Sequence, residues 1–352
     1  MFFNQYAADR IGRKIMLALT VAGMAIASLL IMISQNYIQY VIFVFLLNFF
    51  QLSDIWFLYI NEESKKEKRM VYTNILLIGG ISGAVIMVIL RSIYITDTIS
   101  NWRMMMVFPI LLGIPLCIII LLTIKETAKY EMMKKEGIKK PKKEESFIKD
   151  VKSIFKTENR KPYTAILIMS AIYGGTTIYL SLFEKYISDV GSISQSQITL
   201  IFLWTILAVI VAYTINGILA DRIGRKPLLY IWAALMPISV IIWVLGALTP
   251  YAYILVQVGY ALTHVSYWGL LGIFRVTCLE LVPTEKRGTA LGFRSLLNAL
   301  GITFGLLIAS VLILFYGLGT TFIIFALVLF LLIPLNFLYG KETKGVDLSD
   351  IK

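Results

Sequence analysis

The sequence predicts an all-α fold: a polytopic membrane protein of two helical bundles with about ten transmembrane helices. Hydrophobic residues make up 58% of the 352 residues, 15% are charged, and the mean hydropathy is +0.80. A soluble domain could not bury so much apolar surface, because buried area does not grow fast enough with chain length. The apolar runs, such as residues 75–90, are long and unbroken. They favour helices over the period-two alternation of a membrane barrel.

The distribution of basic residues predicts the topology. Thirty of the 33 Lys and Arg residues fall in alternate loops, and the other side of the membrane receives Arg91, Arg103 and Lys185. Because basic residues concentrate in cytoplasmic loops, the net charge of +12 is interpreted as a topology signal rather than as a sign of nucleic-acid binding. We expect a multi-pass protein of the plasma membrane with a cytoplasmic C-terminus. The ten predicted spans are residues 15–34, 37–60, 70–90, 104–124, 163–183, 197–219, 227–247, 251–276, 288–315 and 318–339.

A long basic segment divides the chain. We expect an N-terminal bundle of four spans at 1–124, a cytoplasmic linker at 125–161 and a C-terminal six-helix bundle at 162–352. Two interpretations of the linker stay open: a solvated tether, or a short amphipathic helix on the membrane surface. The apolar residues at helical spacing that favour the helix are Phe147, Ile148, Val151, Ile154 and Phe155.

Cofactor chemistry and catalysis are not expected. Cys117 and Cys278 lie in separate apolar runs and are interpreted as packing residues. One histidine and scattered acids provide neither a nucleophile beside a base nor the spacing of a metal site. The chain is therefore predicted not to be an enzyme and to need no cofactor or metal.

Three short polar motifs recur in the same order at nearly one offset, which predicts two related halves. Each half needs the same short connection between spans. The motifs are DRIGRK at 9–14 and 221–226, Glu-x6-Arg at 62–69 and 280–287, and Lys-Glu-Thr at 125–127 and 341–343.

The residue types in these motifs suit a tight connection between helices. Gly12 and Gly224 permit backbone angles that a side chain forbids. Asp9 and Asp221 are candidates to cap the free amides of a helix N-terminus. The basic residues can bridge to carboxylates on neighbouring helix ends, which are Glu62, Glu126, Glu280 and Glu342.

The motifs GILADRIGRKP at 217–227 and E-x-x-P-x-x-x-R-G at 280–288 resemble the sugar-porter-like branch of the major facilitator superfamily over essentially the whole chain. Trp102-Arg103 and the ending GKETKG at 340–345 are similar to the same branch, with Lys341 at a proline position. The resemblance implies twelve helices, so the first two are expected to be missing here through a truncated or misassigned start. It also implies a conformational latch, although the same residues could serve topology and capping alone. The latch residues are Asp9, Arg10, Gly12, Arg13, Glu62, Arg69, Glu126, Asp221, Arg222, Gly224, Arg225, Glu280, Arg287 and Glu342.

Polar residues inside the spans are candidates for the substrate or proton path, because ionisable groups in a membrane are costly. Asp54 is a candidate proton carrier, and His264 can switch protonation. Arg275 and Arg294 would select an anion if they face a cavity, or snorkel to the interface if they do not. Further polar candidates are Asn216, Gln257 and Asn298, and possible aromatic walls are Tyr173, Tyr179, Tyr260, Tyr267 and Trp268.

The expected function is secondary active transport of a small polar solute by alternating access, with proton-coupled symport of an organic anion or a sugar. The glutamine pair of sugar porters is replaced by Ala171 and Ile172, which leaves an organic anion at least as well supported as a hexose. The alternatives are a non-transporting nutrient receptor and an inactive truncated remnant. The expected partners are a small-molecule substrate, the lipid bilayer and protons, for a monomer that binds no nucleic acid.

Glycines in the third span predict close helix packing. Gly79, Gly80 and Gly83 lie within residues 70–90, and small residues let transmembrane backbones approach one another.

Overall fold

The computed structural model describes residues 8, 11–51, 55–56, 59, 63, 69–98, 100–127, 131, 154–190, 193–282 and 287–344. The chain divides into two compact units, Met1–Lys143 and Glu144–Lys352. The division lies inside the predicted linker, 125–161. Asp54 and most of that linker lie outside the described residues.

The first unit is built on one central helix. Helix α1 packs against α2, α4 and the 3-10 turn. The Arg103 guanidinium donates to the carbonyls of Met32 (2.9 Å) and Ser34 (2.5 Å), which ties this turn to the end of α1. The elements of the unit are α1 (Arg13–Ile33), α2 (Tyr37–Gln51), α3 (Arg69–Tyr94), the 3-10 turn (Trp102–Met106) and α4 (Val107–Thr123).

The second unit is a larger helical bundle. Helix α9 packs against α10 and α11, α10 also contacts α8, and α11 packs along α5. A capping box at Ser194 begins α8, because the Ser194 hydroxyl and the Gln197 side chain satisfy each other's backbone amides. The helices are α5 (Arg160–Gly175), α6 (Ile178–Ser181), α7 (Phe183–Val190), α8 (Gln195–Ile223), α9 (Arg225–Gly246), α10 (Ala252–Glu280), α11 (Arg287–Leu329) and α12 (Leu332–Tyr339).

Close backbone contact joins α5 to α11. The Cα of Gly175 lies 2.5 Å from where a Cβ on Gly305 would be. A Cβ on Gly301 would lie 2.8 Å from the carbonyl carbon of Ala171. The glycines therefore allow the two helices to approach as small residues do in membrane bundles.

Aromatic rings fill the middle of the second unit. The rings of Phe183 and Tyr260 stack with centroids 3.5 Å apart. The Trp243 ring packs edge-on against Phe183, with ring centroids 5.3 Å apart, and against Phe322, with ring centroids 5.2 Å apart. All four side chains are fully buried, so they form packing core rather than a solute wall. Tyr179 belongs to the same core, because its hydroxyl donates to the Phe322 carbonyl at 3.2 Å.

The described part of the chain confirms the predicted all-α membrane fold. Seven helical segments are long and apolar enough to cross a membrane, and two shorter apolar helices are Tyr37–Gln51 and Gly79–Tyr94. The last segment, Ala290–Tyr339, contains 50 residues. It includes two predicted spans, and Gly317 breaks the helix between them with a φ of 75°.

The predicted packing role of the glycines in α3 is not met among the described residues. No atom lies within 4 Å of the Cβ positions of Gly79, Gly80 and Gly83. Close glycine contacts occur elsewhere, as between Gly113 and Ala25 in the first unit and between α5 and α11 in the second.

Candidate functional site

A glutamate of the C-terminal segment caps the N-terminus of α9. Glu342 Oε1 accepts from the Arg225 amide at 2.9 Å, and Oε2 accepts from the Lys226 amide at 3.0 Å. These are the first two amides of α9, which have no partner within the helix. The carboxylate also faces the positive end of the helix dipole. We call this arrangement the carboxylate cap.

The first unit contains the same carboxylate cap. Glu126 Oε1 accepts from the Arg13 amide at 2.9 Å. Both Glu126 carboxylate oxygens accept a hydrogen bond from the Lys14 amide, at 3.2 and 3.3 Å. The residue after each glutamate donates its amide to Oε1 at 3.0 Å, from Thr127 in one unit and Thr343 in the other. The repeated sequence motifs therefore form matching hydrogen bonds in the two units.

Glycine precedes each capped helix in a conformation that other residues rarely adopt. Gly12 has φ 105° and ψ 151°, and Gly224 has φ 102° and ψ 164°. A Cβ on Gly224 would also collide with the Glu342 carboxylate, with Oε2 closest and Cδ at 2.8 Å. Glycine is therefore required at residue 224 for its backbone angle and for the space that the cap occupies.

The first arginine of each capped helix reaches back over the glycine. Arg225 Nη1 donates to the Ala220 carbonyl at 2.8 Å, and Arg13 Nη1 donates to the Ala8 carbonyl at 3.0 Å. Both bonds link a residue to the carbonyl five positions earlier. The side chain thereby holds the turn in which the preceding segment meets the capped helix.

In the second unit, an ion pair connects Arg225 to a third helix. Arg225 Nη2 lies 3.1 Å from Glu280 Oε1, and the side chains are 14% and 15% exposed. The Thr343 hydroxyl donates to Glu280 Oε2 at 2.5 Å. Helices α9 and α10 and the C-terminal segment therefore meet in one network at this end of the unit, which we call the capped end.

The structure brings together part of the predicted latch. Gly12, Arg13 and Glu126 meet in the first unit, and Gly224, Arg225, Glu280 and Glu342 meet in the second. Arg222 contributes its carbonyl, which accepts from Lys344 Nζ at 2.7 Å. The latch predictions outside the described residues are Asp9, Arg10 and Glu62, and those described only by their backbone are Arg69, Asp221 and Arg287.

The side chain of Asp221, which was predicted to cap a helix N-terminus, lies outside the described part of the structure. Asp221 lies in the last turn of α8, and the N-cap residue of α9 is Gly224, which offers no side-chain bond. Glu342 performs the capping from 117 residues away. The equivalent prediction for Asp9 lies outside the described residues, and the N-cap of α1 is Gly12.

The carboxylate cap predicts a pH dependence of stability. Burial raises the pKa of Glu342, but bonds from the backbone amides of Arg225, Lys344, Lys226 and Thr343 outweigh it and hold the pKa below the ordinary value of 4.5. Because the folded pKa is the lower one, the stabilisation is present above 4.5 and is lost as the pH falls through the folded pKa.

We expect the melting temperature of the detergent-solubilised protein to fall more steeply below pH 4.5 in the wild type than in Glu342→Gln. Equal slopes for the two proteins would contradict a role for the ionised cap.

A polar and aromatic face runs along α10. His264, Trp268 and Arg275 are spaced by four and seven residues, so they lie on one side of the helix. Arg275 is exposed, and the other two are half-buried. The ring of Tyr213 from α8 lies 6.0 Å from Trp268, and Arg275 is close enough to act electrostatically on the Tyr213 phenol. We call these four residues the α10 face.

Buried tyrosines support the α10 face from behind. The Tyr173 and Tyr267 rings lie 4.7 Å apart, and the Tyr173 hydroxyl donates to the Tyr267 carbonyl at 2.9 Å. The Thr177 hydroxyl is 3.5 Å from the Tyr267 hydroxyl. On the same helix, His264 Nδ1 lies 3.2 Å from the Tyr260 carbonyl. These contacts fix the orientation of α10 against α5.

Two predicted path residues are buried inside the bundle. Asn216 accepts from Trp232 Nε1 at 2.8 Å and donates to the Gly269 carbonyl at 3.4 Å, so its amide joins α8, α9 and α10. Arg294 is 2% exposed and donates to the Ser295 hydroxyl at 3.2 Å. It therefore does not snorkel, which corrects one of the two alternatives for this residue.

The two remaining polar residues predicted for the solute path are neither fully buried nor fully exposed. Asn298 and Gln257 are half-buried, and Asn298 Oδ1 has no hydrogen-bond partner among the described residues. Sequence reasoning missed Tyr213, whose only signal was its position on the same helix as Asn216. The described part of the chain contains no group of three or more His, Cys, Asp or Glu side chains that could hold a metal.

Comparison with known proteins gives one family. The family model described as Major Facilitator Superfamily matches residues 1–272 and 186–350. The probable metabolite transport protein CsbC of Bacillus subtilis (strain 168) is 30% identical over 143 residues. That match covers 38% of this chain and 30% of the relative, so it spans less than a third of the curated protein's length.

Solved structures share the fold at low sequence identity. A crystal structure of a D-xylose-proton symporter has a TM-score of 0.74 at 16% identity, covering 98% of this chain and 85% of that one. The inward-open xylose transporter XylE from E. coli gives 0.74 at 17% identity, with 99% and 84% covered. A point mutant of the nucleoside transporter NupG gives 0.74 at 14% identity, with 95% and 86% covered.

Proposed function

Because the chain belongs to the major facilitator superfamily, we propose that it is a secondary transporter that moves a small polar solute across a membrane by alternating access. The observation that carries this proposal is the carboxylate cap, which is built from the same atoms in both units. Alternating access needs two units with discrete contacts that form and break together. A cap of a few hydrogen bonds at a helix end is a contact of that kind.

The proposed solute is an organic anion, with a sugar as the second candidate. Arg275 supports an anion, because a guanidinium binds a carboxylate through two parallel hydrogen bonds. Trp268 and Tyr213 add aromatic surface beside it. The sugar alternative draws on relatives whose names specify xylose transport. Proton coupling is part of the proposal and depends on Asp54 and His264.

The proposed setting is the plasma membrane, with the capped end and the C-terminus on the cytoplasmic side. The basic residues of both capped helices, Arg13 and Lys14 in one unit and Arg225 and Lys226 in the other, support this orientation. We propose that the protein works as a monomer.

Transport in proteoliposomes tests the proposal. The full chain would be supplied with labelled dicarboxylates, pentoses, hexoses and nucleosides, with and without an inward proton gradient. We expect saturable uptake of an anionic solute that increases with the gradient. Binding of a solute without flux would indicate a receptor, and neither binding nor flux of any solute would overturn the proposal.

We expect Arg275→Gln to reduce uptake of the anionic solute about tenfold at low concentration, mainly by raising KM, because one charge-assisted hydrogen-bonding group is lost. Arg275→Lys should recover part of the activity. Lys185→Gln is the matched control, because it removes one positive charge from an exposed pair with Asp189. Equal uptake by Arg275→Gln and Lys185→Gln would remove Arg275 from the solute site.

A further inference from the structure

A groove opens on the surface of the second unit, between the start of α5 and the end of α12. Its volume is about 450 Å³. One end is polar and is lined by Arg160, Lys161 and Thr164. The rest is apolar and is lined chiefly by Ile168, Leu335 and Tyr339. None of the solute-path candidates lines it, so the groove needs another explanation.

The polar end of the groove carries positive charge that no described residue pairs. Arg160 and Lys161 are both exposed, and neither side chain makes an ion pair with another described residue. Lys156 is a further exposed base nearby in sequence, and Glu158 is the one exposed acid beside them. The groove also begins at the positive end of the α5 dipole. An anion is the ligand that this end favours.

The apolar end continues from the charges along one side of α5. Lys161, Thr164 and Ile168 are spaced by three and four residues, so they follow one helix face. Seven residues of helix rise about 10 Å, which is enough to pass from a headgroup to the first part of an acyl chain. Ile168 and Tyr339 remain 44% and 47% exposed. The apolar surface therefore lies open to whatever occupies the groove.

We propose that this groove is a binding site for an anionic phospholipid, with the phosphate at Arg160 and Lys161 and an acyl chain against Ile168, Leu335 and Tyr339. Free phosphate would use the charges but leave the apolar wall empty. Residues 134–143 of the chain's own linker, KKEGIKKPKK, are a poor occupant because a basic site repels them. Photo-crosslinking separates residues 144–153 of the linker from a lipid.

The groove lies close to the capped end of the unit, so a lipid bound there would affect its structure. Tyr339 ends α12, and Glu342 of the carboxylate cap follows three residues later. Between them, Lys341 Nζ donates to Asn159 Oδ1 at 2.8 Å, beside the first residue of α5. A lipid held by α5 and α12 would therefore stabilise the capped end of the unit. This inference does not depend on the identity of the solute.

Native mass spectrometry of the full-length protein tests the proposal. The protein in detergent would be titrated with phosphatidylglycerol, with phosphatidylcholine and with inorganic phosphate. We expect tight binding of one phosphatidylglycerol, and about thirtyfold weaker binding in Arg160→Gln/Lys161→Gln, because each of the two basic contacts to an anionic lipid contributes about 1 kcal/mol. Lys125→Gln/Lys185→Gln is the matched control, because it removes two exposed positive charges that lie outside the groove and away from its polar end.

Two outcomes would overturn the proposal: equal losses in the two double variants, or full competition by inorganic phosphate. Ile168→Trp provides a second variant that fills the apolar end while keeping the charges. We expect it to weaken phosphatidylglycerol binding without changing the melting temperature of the lipid-free protein. Unchanged binding in this variant would also contradict the proposal.

Photo-crosslinking identifies the occupant in native membranes. A benzophenone amino acid in place of Ile168 should yield a peptide carrying the mass of a phospholipid. A crosslink to residues 132–153 would show that the chain's own linker occupies the groove, and a crosslink to another protein would show a docking surface. Either of those products, in place of the lipid adduct, would refute the assignment.

Discussion

Gly301→Ala is expected to lower the melting temperature of the protein by about 10 °C, because overpacking a tight contact costs about 3 kcal/mol. An added Cβ would lie 2.8 Å from the carbonyl carbon of Ala171 and closer still to its oxygen. Both of these atoms belong to the backbone of α5, so no side chain can move aside. The helices α5 and α11 would have to separate, and the nearby contact between Gly175 and Gly305 would open with them.

Gly292→Ala is the matched control for this prediction, because it makes the same substitution in the same helix. No atom of the described residues lies within 4 Å of the Cβ position of Gly292. Alanine is favoured over glycine inside a helix by about 0.5–1 kcal/mol, so this variant should melt at an equal or higher temperature. Thermal unfolding in detergent, followed by tryptophan fluorescence, compares the two. If both variants melted together, the α5–α11 contact would not limit stability.

The glycine contacts illustrate why close packing is hard to predict from sequence. Three glycines within five residues of one span, Gly79, Gly80 and Gly83, met no described atom. Among the glycine contacts that do form, those of Gly174 and Gly175 are with residues more than a hundred positions away. Composition within one helix gives the capacity for close approach, whereas the partner helix is set by the packing of the whole bundle.

The repeated sequence motifs predicted more of the carboxylate cap than the local preferences of single residues did. The recurrence of Lys-Glu-Thr at nearly the same offset as DRIGRK identified Glu126 and Glu342 as members of one set. It could not show that their carboxylates cap helices, because the capped amides lie 113 and 117 residues earlier in the chain. Local reasoning assigned the cap to Asp221 for its proximity, although that residue is part of the preceding helix.

The α10 face could be predicted in part, because most of its members lie on one helix. Its members His264, Trp268 and Arg275 share one helix, so their spacing alone places them on one side. Asn216 and Arg294 were candidates for the same chemical reasons, yet the structure buries both within the bundle. Helical spacing relates residues within one element, but it does not tell which side of that element faces a neighbouring helix.

Gly224→Ala is expected to destabilise the second unit by about 3 kcal/mol, from two separable causes. The backbone at residue 224 has φ 102° and ψ 164°, a region essentially restricted to glycine, which strains any residue with a Cβ by about 1–3 kcal/mol. The added Cβ also collides with the Glu342 carboxylate. Loss of a helix cap costs about 1 kcal/mol, so displacement of the carboxylate accounts for the remainder.

A double-mutant cycle separates the two causes. In a Glu342→Ala background the carboxylate is absent and its space is free, so Gly224→Ala should cost only the backbone strain. We therefore expect the double variant to be more stable than the sum of the two single effects predicts, by about 1 kcal/mol. Thermal unfolding of the four proteins at neutral pH gives the coupling. Strict additivity would mean that residue 224 is glycine for its backbone angle alone. A positive coupling would show that the glycine also makes room for the carboxylate of the cap. The same cap forms separately within each unit, and we propose that it opens and closes during transport.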